Sequence, residues 1–276
     1  MTVILGAAGM LGRAFHEALP EAQGFDLPDF DVTDGDHIAR ALPEGESLVI
    51  NCAAWTDVDG AETDEEGALQ VNGAAVRMLA ERCKKIGATL VHFSTDYVFD
   101  GLGTRPYPVD HPRAPLNAYG RTKAAGEAAI EEVGGAHLLI RTAWLYAPWG
   151  KNFVRTMWRL TGEKDELKVV ADQRGRPTSA PWLAKATLKL IDKNARGTFH
   201  ICDDGECTWH EFASAIAEAR GRGCEVHPCT SEEFPRRAKR PPYSVLDLDR
   251  LRAEVGEVPP WATNLSETLD AIRRDG

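Results

Sequence analysis

An α/β fold is predicted: a doubly wound parallel sheet with a smaller, interleaved C-terminal part. Two observations carry the sheet. Short β-rich apolar runs alternate with helical stretches through the first half of the chain, and a glycine-rich turn directly follows the first run. Strands separated by helices pair in parallel and need helices on both faces. A third observation carries the second part: the alternation lapses after Trp149. The expected division is 1–150 for the sheet and 151–276 for the second part, with a strand near 197–203 returning to the sheet.

Taken in order, TVILGA at 2–7 is a short apolar strand and MLGRAFHEAL at 10–19 has helical spacing. SLVINCAA at 47–54 is a second β-rich run. Residues 71–87, VNGAAVRMLAERCKKIG, read as a helix closed by Lys84, Lys85 and Gly87. ATLVHFSTD at 88–96 and HLLIRTAWLYA at 137–147 are further strands. Between them the proline segment PLNAYGRTK at 115–123 runs into an alanine-rich helix. In the second part KNFVRTMWRL at 151–160 reads as a helix, residues 175–178 (GRPT) break the pattern, and GTFHICDD at 197–204 reads as a strand. Thr208-Trp209-His210-Glu211 matches a capping box ahead of FASAIAEA. The prolines of RRAKRPP at 236–242 rule out a continuing helix.

The chain has 276 residues and a net charge of −10. An acidic balance disfavours nucleic-acid binding, which draws on clustered Lys and Arg. A small anionic ligand remains compatible, because backbone amides and a few Arg can hold it. There is no apolar run of membrane-spanning length and no basic leader, so a cytoplasmic protein is expected. The six cysteines contain no C-x-x-C. Cys224 to Cys229 could be drawn as a metal knuckle, but a second ligand pair is missing; reduced thiols and no metal are expected.

Gly6, Gly9 and Gly12 stand at G-x-x-G-x-x-G spacing between the first strand and the first helix. Such a Rossmann-type turn lets backbone N–H groups approach a pyrophosphate at the helix N-terminus. The acid that receives a ribose should follow by about 20 residues, and Asp26 fits. A carboxylate there would repel a 2′-phosphate, so NADH is favoured and NADPH allowed. Asp29 and Asp31 stand nearby, any of the three could be a solvated loop acid, and Asp31-Val32 could instead flank the adenine.

Tyr119 and Lys123 are four apart, about one helical turn, and share a face. Thr95 ends a strand, where ligands of open α/β sheets lie. A lysine cation beside the phenol is expected to lower its pKa. The tyrosine could then protonate an alkoxide formed by hydride transfer, with Thr95 donating a hydrogen bond to the same oxygen.

The segments GAAGMLG, NCAAWTDVDGAE, Val71-Asn72, STDYVFDG, PLNAYGRTKAAGE and IRTAWLYA resemble the extended short-chain dehydrogenases/reductases. Within them they resemble the dTDP-4-dehydrorhamnose reductase family, which completes dTDP-L-rhamnose synthesis. The resemblance implies a catalytic trio of Thr95, Tyr119 and Lys123. It places the dinucleotide, NADH or NADPH, on Gly6, Gly9, Met10, Leu11, Gly12, Asp26, Asp31, Val32, Ala53, Ala54 and Thr56 as well as Tyr119 and Lys123. It places a dTDP-linked 4-keto sugar on Thr95, Asp96, Trp144, Asn152 and Arg240. Trp55 replaces the usual tyrosine, and Arg121 stands where serine is common. In some members a metal joins two subunits; no such site matches here, and a homodimer is neither required nor excluded.

Other features have plainer readings. The acid run from Asp57 to Glu66 reads as a solvated loop and helix start. Arg236, Arg237, Lys239 and Arg240 read as a solvated face or a diphosphate clamp. His92 reads as a hydrogen-bonded core residue. Two other functions fit the same scaffold. One is a nucleotide-sugar epimerase or dehydratase, for which Asp96 and Tyr97 would supply an extra acid/base pair. The other is a non-catalytic regulatory subunit resembling the methionine adenosyltransferase β subunit, against which the intact trio argues.

Overall fold

The structure is a computed structural model that describes residues 1–45 and 47–275. Six parallel strands form the main sheet: β1 (Thr2–Leu5), β2 (Gln23–Phe25), β3 (Leu48–Asn51), β4 (Thr89–Thr95), β5 (His137–Thr142) and β6 (Gly197–His200). Their order across the sheet is β2-β1-β3-β4-β5-β6. The main helices are α1 (Met10–Ala18), α2 (Gly35–Ala41), α3 (Ala75–Ile86), α4 (Ala118–Val133), α5 (Phe153–Glu163), α6 (Ala180–Asp192), α7 (Trp209–Arg220) and α8 (Trp261–Asp275).

The central strands are mostly apolar because successive side chains point to opposite faces and both faces are covered, with the buried His92 of β4 the exception within that strand's middle. Val3, Val49, Leu90 and Leu139 enter one core with α2, α3 and α4. Their neighbours Ile4, Ile50, Val91 and Ile140 enter the other with α1 and α6. The carboxyl ends of β1, β3 and β4 thereby deliver Gly6, Cys52 and Thr95 to one rim. Residues 180–200 return to the sheet as α6, packed on α1, and β6, paired with β5. A separate core gathers Tyr146, Met157, Phe212, Ile216, Leu265 and Leu269 around α5, α7 and α8.

Three expected elements differ in detail. The run at 137–147 splits into β5 and a short strand Leu145–Tyr146, because Trp144 takes φ 47°, a left-handed value uncommon for a bulky residue. The strand at 197–204 stops at His200, and 201–203 continue without ladder pairing. The helix at 71–87 begins as a π turn, Gln70–Ala74. Helices α2, α6 and α8 and the paired strands Glu166–Val170 and Glu225–Cys229 were not anticipated. All six cysteines are unpaired thiols. Among the described residues no helix is long and apolar enough to cross a membrane, and no group of His, Cys, Asp and Glu could hold a metal ion.

Helix α4 is set against the sheet by close approach and by charge. A Cβ on Gly120 would lie 2.2 Å from the Tyr97 carbonyl oxygen, and one on Gly126 would lie 2.2 Å from that of Asn72. Glu127, fully buried, accepts two bonds from Arg141 of β5, at 2.9 and 2.7 Å. Arg113 adds a third at 3.2 Å.

Asp203 ties the C-terminal core to the sheet. Its carboxyl accepts from Tyr146 Oη at 3.0 Å, Asn264 Nδ2 at 2.7 Å and the Ser179 amide at 3.2 Å. Burial pushes its pKa up to about 7 against the pull of these donors. The folded state thus holds a proton that the unfolded chain releases near pH 4, so this group's stabilisation falls as pH rises from about 4 through about 7. Asp203→Asn should flatten the Tm profile over that interval, as read by calorimetry; an unchanged slope would remove Asp203 as its source.

Candidate active site

The rim forms one wall of a cleft of about 1000 Å³ that runs from the glycine turn to Trp209. Gly6 has φ 73°, and a Cβ there would lie 2.6 Å from the Ala53 amide nitrogen. Gly9 starts α1 without a capping side chain. The first N–H groups of α1 therefore lack a side-chain acceptor at the wall of the cleft, which suits an anionic diphosphate. Gly12 does not line the cleft: a Cβ on it would meet the Gly6 carbonyl oxygen at 2.0 Å, so it serves close packing of turn on helix. Gly6, Gly9, Met10 and Leu11 do line it.

Asp26, one residue past β2, fixes the turn. Its Oδ2 accepts from the Ala8 amide at 2.7 Å and its Oδ1 from the Leu27 amide at 2.8 Å. Asp31 and Val32 continue this wall, with Asp31 Oδ1 accepting from Thr33 Oγ1 at 2.7 Å. Ala53, Ala54 and Thr56 form the opposite side. Two amides hold that loop. Asn51 Oδ1 accepts from the Ala53 amide at 3.1 Å, and Asn72 both accepts from the Trp55 amide and donates to its carbonyl. Asn72 also donates to Thr122 Oγ1 at 3.1 Å, so the π turn links the loop to α4.

Thr95, Tyr119 and Lys123 meet in the middle of the cleft. Thr95 Oγ1 donates to Asp96 Oδ1 at 2.9 Å. The expected lowering of the Tyr119 pKa is not what the structure gives. Burial first, then the Asp96 carboxylate, hold the phenol well above its usual value, with the Thr95 hydroxyl opposing. Lys123 points elsewhere: Nζ donates to the Phe93 carbonyl at 2.6 Å and lies 3.4 Å from His92 Nε2. Burial lowers Lys123 to about 8, and Glu127 opposes. Tyr119 consequently keeps its proton across neutral pH, the form a proton donor needs. His92 is buried, joined to Asn51 Nδ2 at 3.1 Å, and held neutral by burial and by Lys123. Asp96 is buried, and burial pushes it up to about 6.

At the far end Trp144 lines the cleft with its indole stacked on Trp209, centroids 3.6 Å apart. Trp209 is a cleft residue that the sequence does not mark. In the sequence it only follows the capping Thr208, and the pairing of Cys207–Thr208 with Arg174–Gly175 is what brings it to Trp144. Two expected contacts do not reach the cleft. Asn152 is the N-cap of α5: Oδ1 accepts from the Arg155 amide, while Nδ2 donates to the carbonyls of Ala147 and Trp149. Arg240 is paired with Asp59 at 3.0 Å. The acid run is likewise a docking strip. Glu62 accepts from the Ala118 amide at 2.8 Å, Glu65 binds Arg121, and Thr63 Oγ1 accepts from Arg237.

A parallel sheet with a glycine turn after its first strand, and Thr, Tyr and Lys converging at its carboxyl rim, defines a dinucleotide-binding protein of the extended short-chain dehydrogenase/reductase class. The family described as RmlD substrate binding domain matches residues 1–274, and the chain belongs to it. It is 40% identical to a dTDP-4-dehydrorhamnose reductase of Streptomyces griseus over 98% of this chain and 93% of that one. It is 38% identical to a dTDP-4-keto-6-deoxy-D-glucose reductase of Streptomyces niveus over 99% and 98%. A crystal structure of dTDP-4-dehydrorhamnose reductase from Bacillus anthracis in complex with NADP superposes with a TM-score of 0.92, at 37% identity and 98% coverage of each chain.

Proposed function

We propose that the chain is a reductase that transfers hydride from NAD(P)H to the C4 ketone of dTDP-4-dehydro-L-rhamnose, giving dTDP-L-rhamnose. The observation that carries this is the convergence of Thr95, Tyr119 and Lys123 between the glycine turn and the Trp144–Trp209 wall. The bound dinucleotide supplies the hydride. The α1 N-terminus and Asp26 orient its diphosphate and adenosine ribose. Thr95 steadies the ketone oxygen, and Tyr119, protonated at rest, gives its proton to the alkoxide. Lys123, buried and poised near 8, stabilises the phenolate that results. Trp144 offers a flat indole to the sugar. The division of labour follows the separation of the sheet from the C-terminal core, 1–150 with the returning strand for the dinucleotide and most of 151–276 for the nucleotide sugar. The protein works in the cytoplasm on this reading. The Streptomyces niveus relative favours one second substrate, dTDP-4-keto-6-deoxy-D-glucose. Consumption of NADH or NADPH by purified protein, with each keto sugar in turn, tests the proposal; no consumption of either coenzyme with either sugar would overturn it.

NADH is the preferred coenzyme on this reading, because a 2′-phosphate beside Asp26 meets a like charge. Asp26→Ala should narrow the kcat/KM gap between coenzymes. The Bacillus anthracis relative, crystallised with NADP, sets the opposite outcome: a strong NADPH preference in the unmodified protein would overturn this role of Asp26.

A further inference from the structure

We infer that Arg240 and Asp59 form a clamp that positions Tyr119, and that Arg240 makes no contact with the substrate's diphosphate. The inference rests on the reductase reading for the meaning of Tyr119. Arg240 donates from Nη1 to Asp59 Oδ1 at 3.2 Å and from Nη2 to Oδ2 at 3.0 Å. Nη1 also reaches the Ala238 carbonyl at 3.1 Å. The fork is therefore engaged within the protein, and neither Arg240 nor Asp59 lines the cleft. Asp59 closes the arrangement by accepting from the Ala238 amide at 3.0 Å.

This clamp holds a strap from the C-terminal part across the start of α4. The Lys239 carbonyl accepts from Asn117 Nδ2 at 2.9 Å, and Asn117 Oδ1 caps the helix by accepting from the Gly120 amide at 2.8 Å. One amide thus joins the strap to the helical turn that carries Tyr119. A second link runs through an aromatic ring. The Arg240 guanidinium lies 6.0 Å from the Tyr97 ring centre, and Tyr97 meets Tyr119 edge-on at 5.9 Å. The Tyr97 carbonyl presses on Gly120, where no Cβ would fit. Loosening the strap therefore frees both the helix start and the ring beside the catalytic phenol. A bidentate guanidinium–carboxylate pair fixes orientation in a way a lysine cannot reproduce.

A shift of about 1 Å in a reacting group can cost about 10²-fold in rate. Arg240→Lys and Asp59→Asn should each lower kcat by about ten- to a hundred-fold, with KM for the nucleotide sugar and Kd for the dinucleotide within about twofold. The double variant should be no worse than the poorer single one, since both break the same contact. Hydrogen exchange of residues 117–123 should quicken in both, a readout independent of turnover. A raised KM and weakened binding of dTDP in Arg240→Lys, with Asp59→Asn unaffected, would instead make Arg240 a diphosphate contact and overturn the clamp. Unchanged exchange in both folded variants would overturn it as well, whatever substrate the unmodified protein turns over.

Discussion

Tyr119→Phe folds, binds the dinucleotide and loses about 10²–10⁴ of kcat, the contribution typical of a positioned general acid. The substitution removes one hydroxyl from a ring that remains packed against Tyr97. The Thr95–Asp96 hydrogen bond does not involve it. The loss should therefore fall on kcat with little change in KM, as steady-state kinetics will read. Because burial and Asp96 keep the phenol protonated, kcat in the unmodified protein should not fall between pH 6 and 8 through ionisation of Tyr119 in the resting site. Near-normal turnover in the variant would remove Tyr119 from the chemistry.

The largest effect on stability is expected at Glu127. Glu127→Ala strands the guanidinium of Arg141, only 3% exposed, without its carboxylate. Removing one partner of a buried pair costs about 3–5 kcal/mol. For a chain of this size that is a Tm lower by about 10 °C. The same carboxylate holds the Lys123 pKa up, so its loss should let that value fall further below about 8. A Tm within a degree or two of the unmodified protein would contradict the role given to this pair.

The sheet was legible because each central strand buries both faces, so its sequence is a short, mainly apolar, β-rich run. The meeting of Thr95, Tyr119 and Lys123 at one cleft was legible because each signal is local: Tyr119 and Lys123 share one turn, and Thr95 ends a strand. What was missed depends on distance along the chain or on burial. Arg240 looked free for a ligand because Asp59, its partner, is 181 residues away. The acid run looked solvated for the same reason. The Tyr119 pKa was misjudged because one turn of helix gives the spacing of Lys123 but not its aim, and Nζ is drawn to the Phe93 carbonyl. Asn152 carried a signal that was overlooked: an Asn ahead of Phe153-Val154-Arg155 is an N-cap. Trp209 carried none, since only the folded chain lays it on Trp144.

On the proposed mechanism, hydride goes to C4 of a dTDP-linked keto sugar and Tyr119 supplies the proton. The direct measurement is the fate of label from NADH carrying two deuterium atoms at the nicotinamide C4, followed by NMR of the product formed from dTDP-4-dehydro-L-rhamnose. The expected product is dTDP-L-rhamnose carrying one deuterium at C4 and none at C3 or C5, with one NADH oxidised per product. Deuterium at another carbon, solvent-derived label at C3 or C5, or product formed with no net oxidation of NADH would contradict it and mark an epimerase or dehydratase instead.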